Sequence, residues 1–137
     1  MTPYEDVNEV LARLSDGLTA LLGEQLLGLY LTGSLTCGDF DPSSSDIDFL
    51  AVLSKELSDE QLSAITDTHE RIGVAFPRWA TRLEGSYITK DMIATKDRPV
   101  ISRPYVNAGD INLYRYGNEW TINLLFDSGF RLVPLAA

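Results

Sequence analysis

Apolar residues at Val7, Val10, Leu11, Leu14, Leu18, Leu21 and Leu22 recur at three- and four-residue intervals, the spacing of one helix face. That helix is expected to start at Thr2 as N-cap, with Pro3 in the first turn and Glu5 closing a capping box. Gly23 is expected to end it. The pattern then changes. Residues 26–32 form a short apolar run bounded by glycines, which reads as a buried strand. Residues 46–53 read as a second strand, closing in the continuous run Phe49-Leu50-Ala51-Val52-Leu53. Between them, residues 33–45 are rich in Gly, Ser and Asp, which marks a loop with room for one helical turn. Ser58 and Gln61 repeat the capping-box pattern, flanked by a Leu57–Leu62 staple, and predict a helix to about Gly73. Residues 82–88 read as a third strand and 111–116 as a shorter fourth. Residues 91–107 carry three Arg or Lys and two prolines and read as a loop. Residues 119–128 read as helix and 130–133 as a brief extended piece. Helices alternating with strands place the chain in the α/β class.

Composition changes this picture little, and charge narrows it. At 137 residues, 45% hydrophobic and 23% charged, the chain has the make-up of one globular domain. No apolar run approaches the ~18 residues that span a bilayer, and the acidic start at Tyr4, Glu5 and Asp6 is unlike an export signal. A cytoplasmic location is the expectation, with no membrane partner. Cys37 is the only cysteine and His69 the only histidine, so neither a disulfide nor a histidine-rich zinc site can form within the chain. Eleven Lys and Arg against twenty Asp and Glu give a formal charge of −9. Gripping a long phosphate backbone takes a basic face. DNA or long RNA is therefore not an expected partner, whereas a single nucleotide is compatible if magnesium offsets the carboxylates and phosphates.

The chemistry concentrates in Leu31-Thr32-Gly33-Ser34 and Asp46-Ile47-Asp48-Phe49, with eleven residues between Ser34 and Asp46. A Gly-Ser turn after a buried strand lets backbone N–H groups approach a phosphate, and the serine hydroxyl adds a donor. A short helix over residues 35–38 would add its dipole at the same place. Asp46 and Asp48, two apart on a strand, face the same way with α-carbons roughly 7 Å apart. That suits a pair of magnesium ions about 3.5–4 Å apart. Ile47 and Phe49 then point into the core. Asp-x-Asp alone is most often a solvated strand face. The conjunction of a glycine turn after one strand with paired carboxylates opening the next is far more specific.

With those residues on the page, the sequence resembles the nucleotidyltransferase superfamily that includes DNA polymerase beta. The wider string from Leu29 through Gly33-Ser34, Gly38-Asp39-Phe40-Asp41-Pro42 and Asp46-Ile47-Asp48 to Leu50 is most similar to the aminoglycoside (streptomycin/spectinomycin) adenylyltransferases. Leu83-Glu84-Gly85-Ser86-Tyr87-Ile88 and Trp120-Thr121-Ile122-Asn123 share that likeness. The resemblance implies a nucleotidyltransferase fold, with a mixed sheet of about four to five strands flanked by helices. It implies that Gly33 and Ser34 hold the triphosphate, and that Asp46 and Asp48 are catalytic and bind two Mg2+ ions. Glu84 becomes the third catalytic carboxylate, either metal-associated or the base for the acceptor hydroxyl. The implied reaction transfers AMP from Mg-ATP to a hydroxyl of a small acceptor, an aminoglycoside among the candidates, with antibiotic resistance as its consequence.

The resembling enzymes continue into a C-terminal helical domain, and residues 1–137 are expected to hold the nucleotidyltransferase domain without it. The apolar Trp120, Ile122, Leu124, Leu125 and Phe126 then call for a cover, by self-association or by a helical partner protein. The alternative reading is a minimal nucleotidyltransferase antitoxin acting on or with such a partner. Weaker signals are read blandly. Arg82, Arg103 and Arg115 could reach phosphate oxygens but are ordinarily surface residues. Asp39 and Asp41 read as turn formers, Cys37 as packing, and His69 as an exposed helix residue. Trp79, Trp120 and Tyr87 read as core or interface aromatics.

Overall fold

The structure is a computed structural model that describes residues 4–32, 41, 43–90, 101–107, 110–116 and 133–134. Helix α1 spans Glu5–Leu22 and buries Val7, Val10, Leu11, Leu14, Leu18 and Leu22, the face set by the apolar spacing. Its start differs from expectation. Tyr4 is the N-cap and its side chain makes no capping bond. Instead the Asp6 carboxylate accepts the Val7 N–H at 2.9 Å, satisfying a first-turn donor from within the helix. Thr2 and Pro3 lie outside the described residues. Gly23 ends the helix at φ 55, a backbone angle that costs glycine little, and its N–H bonds Thr19 O.

Strand β1 (Leu26–Thr32) pairs antiparallel with β2 (Ile47–Leu53). Helix α2 (Asp59–Ala75) then carries the chain to β3 (Leu83–Thr89), which lies parallel to β2. Parallel neighbours need such a crossover. The Ser58–Gln61 capping box opens α2 in both directions, with Gln61 N–H to Ser58 Oγ at 3.1 Å and Ser58 N–H to Gln61 Oε1 at 3.0 Å. The Gln61 amide also donates to Gln25 Oε1 at 2.7 Å, tying the head of α2 to the short 3-10 turn before β1.

Residues 101–107, expected as part of a loop, form β4 (Ile101–Asn107), which pairs antiparallel with β3 and with β5 (Asp110–Tyr116). The two prolines argued against a strand. The β3–β4 register involves only Tyr105 and Val106, so on that side Pro104 sits past the ladder, where its missing N–H costs no bond. A two-residue β6 (Val133–Pro134) pairs with Tyr30 and Leu31. The sheet is mixed and flanked by helices, as expected, and among the described residues its order is β5-β4-β3-β2-β1-β6, the two-residue β6 included. The helix expected over 119–128 and the short one over 35–38 lie outside the described residues, as do Cys37, Asp39 and Trp120.

Alternation along the strands divides the sheet into two faces. Leu29, Leu31, Ile47, Phe49, Ala51, Leu53, Leu83 and Tyr87 join the buried faces of α1 and α2 in one core. Asp48, Leu50, Glu84, Ser86 and Ile88 occupy the other face, where Leu50, Ser86 and Ile88 are also buried. No described helix is long and apolar enough to cross a membrane.

Candidate active site

Asp48 stands at the second position of β2, between Ile47 and Phe49, whose side chains anchor the strand in the core. Its register partners are Thr32 on β1 and Glu84 on β3, so the three positions form a row across the sheet. Thr32 ends β1, and the next residues in sequence, Gly33 and Ser34, lie outside the described residues. Asp46 precedes the first residue of β2 rather than lying within the strand.

The electrostatics follow from this row. Burial raises the Asp48 pKa to about 7, with the Glu84 and Asp46 charges adding to the effect. Burial also raises Glu84, again with help from Asp46. Like charges at close range disfavour ionisation, which is why neighbouring carboxylates add to the effect of burial on Asp48 and Glu84. Among the described residues, no Lys or Arg pairs with Asp48 or Glu84 to relieve them. Hard oxygen donors carrying unneutralised charge are the ligand chemistry that Mg2+ takes. Among the described residues no group of three or more His, Cys, Asp or Glu is arranged to hold a metal ion by itself.

The segment entering β2 is tightly bonded. Asp41 accepts the Ser43 N–H at 2.9 Å and the Ser43 hydroxyl at 2.7 Å, and its carbonyl accepts the Ser44 and Ser45 N–H groups. These bonds hold the Asp41 carboxyl below its usual range. Asp41 is thus the turn former expected. Arg82 donates from its guanidinium to the Ser45 carbonyl and stacks 4.3 Å from the centre of the Trp79 ring. Its side chain is therefore engaged with the fold itself. Arg103 and Arg115 fall on β4 and β5, and their side chains lie outside the described residues.

Trp79 and Tyr87 are buried core aromatics, in line with the sequence. His69 is a correction. Expected on an exposed helix face, it is 7% exposed, with Nε2 2.7 Å from Tyr87 Oη and its ring stacked on Phe49. The signal was present in the spacing, since His69 stands four residues after Ile65 and three before Ile72, all on the buried face of α2. Ser86 was also unremarked. Its Oγ is buried without a hydrogen-bond partner, the only such side-chain atom among the described residues, two positions after Glu84 on the same face.

Comparison with known proteins identifies the domain and the fold. The nucleotidyltransferase domain family matches residues 11–97, which include Gly33, Ser34, Asp46, Asp48 and Glu84. Among solved structures, the fold is similar to that of the spectinomycin adenyltransferase AAD(9) from Enterococcus faecialis, crystallised with ATP and spectinomycin. The TM-score is 0.57 at 20% identity, over 90% of this chain and 47% of that one, so this chain spans about half that protein's length. No curated protein sequence matches. A mixed sheet with helices over one face, carboxylates in a row on the other, and a match over more than half its length agree: the chain belongs to the nucleotidyltransferase domain family.

Proposed function

We propose that this chain binds Mg-ATP and transfers AMP to a hydroxyl of a small acceptor, with an aminoglycoside or aminocyclitol antibiotic as the favoured class. The observation that carries the reading is the pairing of Asp48 with Glu84 in a carboxylate group that no described cation neutralises. Asp46 and Asp48 would hold the magnesium ions. Bound there, magnesium neutralises phosphate charge and stabilises the departing pyrophosphate. Gly33 and Ser34 would hold the triphosphate through backbone N–H groups and a hydroxyl. Glu84, its pKa raised by burial and by Asp46, is suited to accept the proton of the acceptor hydroxyl as that oxygen bonds to the α-phosphorus. The small-acceptor choice draws on the −9 charge, which disfavours a polymer, and on the spectinomycin of the structural neighbour. In this reading the apolar segment around Trp120 and Phe126 is covered by a second copy of the chain or by a helical partner, and light scattering tests that cover.

The deciding experiment follows α-phosphate label from ATP in the presence of Mg2+ with spectinomycin, streptomycin and a set of related acceptors. Mass spectrometry should find an AMP adduct on one of them, and Asp48→Asn should abolish it. Label arriving on a helical partner protein instead would establish the antitoxin alternative. No adduct on any acceptor, with the protein folded and ATP bound, would overturn the small-molecule reading.

A further inference from the structure

Both peptide planes flanking Asp46 are tied to a single residue. The plane before it contains the Ser45 carbonyl, which accepts from the Arg82 guanidinium. The plane after it contains the Ile47 N–H, which donates to the Arg82 carbonyl at 2.7 Å. Arg82 in turn stands two residues before Glu84 on the same chain segment. We propose that Arg82 is a positioning residue for the carboxylate group, fixing the Asp46 backbone relative to Asp48 and Glu84 rather than touching nucleotide. This inference rests on the reading of Asp46 and Asp48 as cation ligands.

The clamp is buttressed on both sides. The guanidinium carbon lies 4.3 Å from the centre of the Trp79 ring, a cation–π contact, while the same group donates to Ser45 O. The Trp79 ring is itself buried, and its Nε1–H donates to Asp6 Oδ2 at 2.8 Å in the first turn of α1. That bond is the leading reason the Asp6 carboxyl sits below its ordinary pKa. The Arg82 N–H bonds Trp79 O at 3.1 Å, closing the turn between the 3-10 segment and β3. From the opposite side Ser45 is held by the Asp41 turn, through its N–H to Asp41 O at 2.8 Å and its Oγ from Asp41 N–H at 2.9 Å. A continuous set of contacts therefore runs from α1 through Trp79 and Arg82 to the peptide of Asp46. A planar guanidinium suits this place because it stacks and donates at once, which an ammonium cannot do.

Groups that orient metal ligands without touching the metal commonly change affinity by about 10–100-fold when removed. The test is a Mn2+ titration of the purified nucleotide-free chain, followed by calorimetry, with a thermal melt of each variant alongside. Arg82→Met keeps the aliphatic stem and should lose about 10–100-fold in Mn2+ affinity while still melting cooperatively. Arg82→Lys can still donate to Ser45 O and should fall between Met and wild type. If Arg82→Met does not fold, Arg82→Lys carries the test, since it keeps a donor for Ser45 O and gives up the planar contact with Trp79. Asp48→Asn separates the two levels of argument. Weakened Mn2+ binding in Asp48→Asn beside unchanged binding in the folded Arg82 variant overturns the positioning role alone. Unchanged binding in Asp48→Asn overturns the ligand reading, and the positioning role with it.

Discussion

Asp48 and Glu84 face each other across the parallel pair of β2 and β3, each in register with the other and neither paired with a basic group among the described residues. Such an arrangement is costly in the metal-free protein. A carboxyl whose folded pKa rises from 3.8 to about 7 keeps a proton that the unfolded chain has already lost. The stability this confers is complete below the unfolded pKa and is lost as pH rises through about 7.

Asp48→Asn should therefore stabilise the metal-free chain. The asparagine imitates the protonated acid and carries no charge to desolvate. Thermal melts in a chelator should show a higher midpoint for the variant at pH 8, with the gap narrowing towards pH 4. Added Mg2+ should raise the midpoint of the wild type and leave the variant almost unmoved. Equal midpoints for both proteins at pH 8 without metal would remove the electrostatic argument.

Glu84→Gln addresses chemistry. A general base contributes a factor of roughly 10²–10⁴ in rate. The amide keeps the size of the side chain and gives up the proton acceptor. Turnover in the acceptor assay should fall within that range while ATP affinity changes by less than about threefold, since the proposed role begins after binding. A variant that loses ATP affinity in proportion to turnover would reassign Glu84 to the nucleotide or its metal.

Gly85 follows Glu84 on β3 and is in register with Phe49, the residue after Asp48 on β2. A Cβ placed there would stand 2.4 Å from atoms of the Phe49 ring, which packs against the bare glycine backbone. Overpacking a core costs about 1–3 kcal/mol. Gly85→Ala should lower stability by that amount in urea denaturation, and combining it with Phe49→Leu should recover part of the loss. Additive losses in the double variant would show that the two positions do not meet.

The same elements show what the sequence could and could not disclose. The core face of α1 and the strand 47–53 follow from periodicity, because burial repeats with the geometry of the element. The capping box at Ser58 and Gln61 is local chemistry, complete within four residues. The carboxylates were legible as residue types, and their likeness to a known family implied roles for them. Their arrangement was not legible, since the Asp48–Glu84 register depends on a parallel pairing made through a helix. Arg82 was read as a surface cation for the same reason, as its partners Ser45 and Trp79 meet it only through the fold. Pro104 misled in the opposite direction, because a proline signals a break only where its N–H is needed.

The last prediction concerns acid. His69 sits on the buried face of α2, with Nε2 2.7 Å from Tyr87 Oη and its ring against Phe49. Burial lowers its pKa from 6.5 to about 4, so the folded protein holds it neutral while the unfolded chain protonates it near 6.5. Its contribution to stability is thus present above pH 6.5 and is lost as pH falls through about 4, up to about 3 kcal/mol at one unit of pKa per 1.36 kcal/mol. Tyr87 is pushed upward by burial and stays neutral throughout, so the pair is a hydrogen bond between uncharged groups. His69→Gln should flatten the decline of stability between pH 6.5 and 4, because an amide does not titrate. Tyr87→Phe should lower stability at neutral pH by about 1–3 kcal/mol, the cost of leaving a buried ring nitrogen without its partner. Urea denaturation of the three proteins at pH 7, 5.5 and 4.5 distinguishes these effects. If wild type and His69→Gln lose stability in parallel across that range, the acid sensitivity arises elsewhere and the buried neutral histidine is not its source.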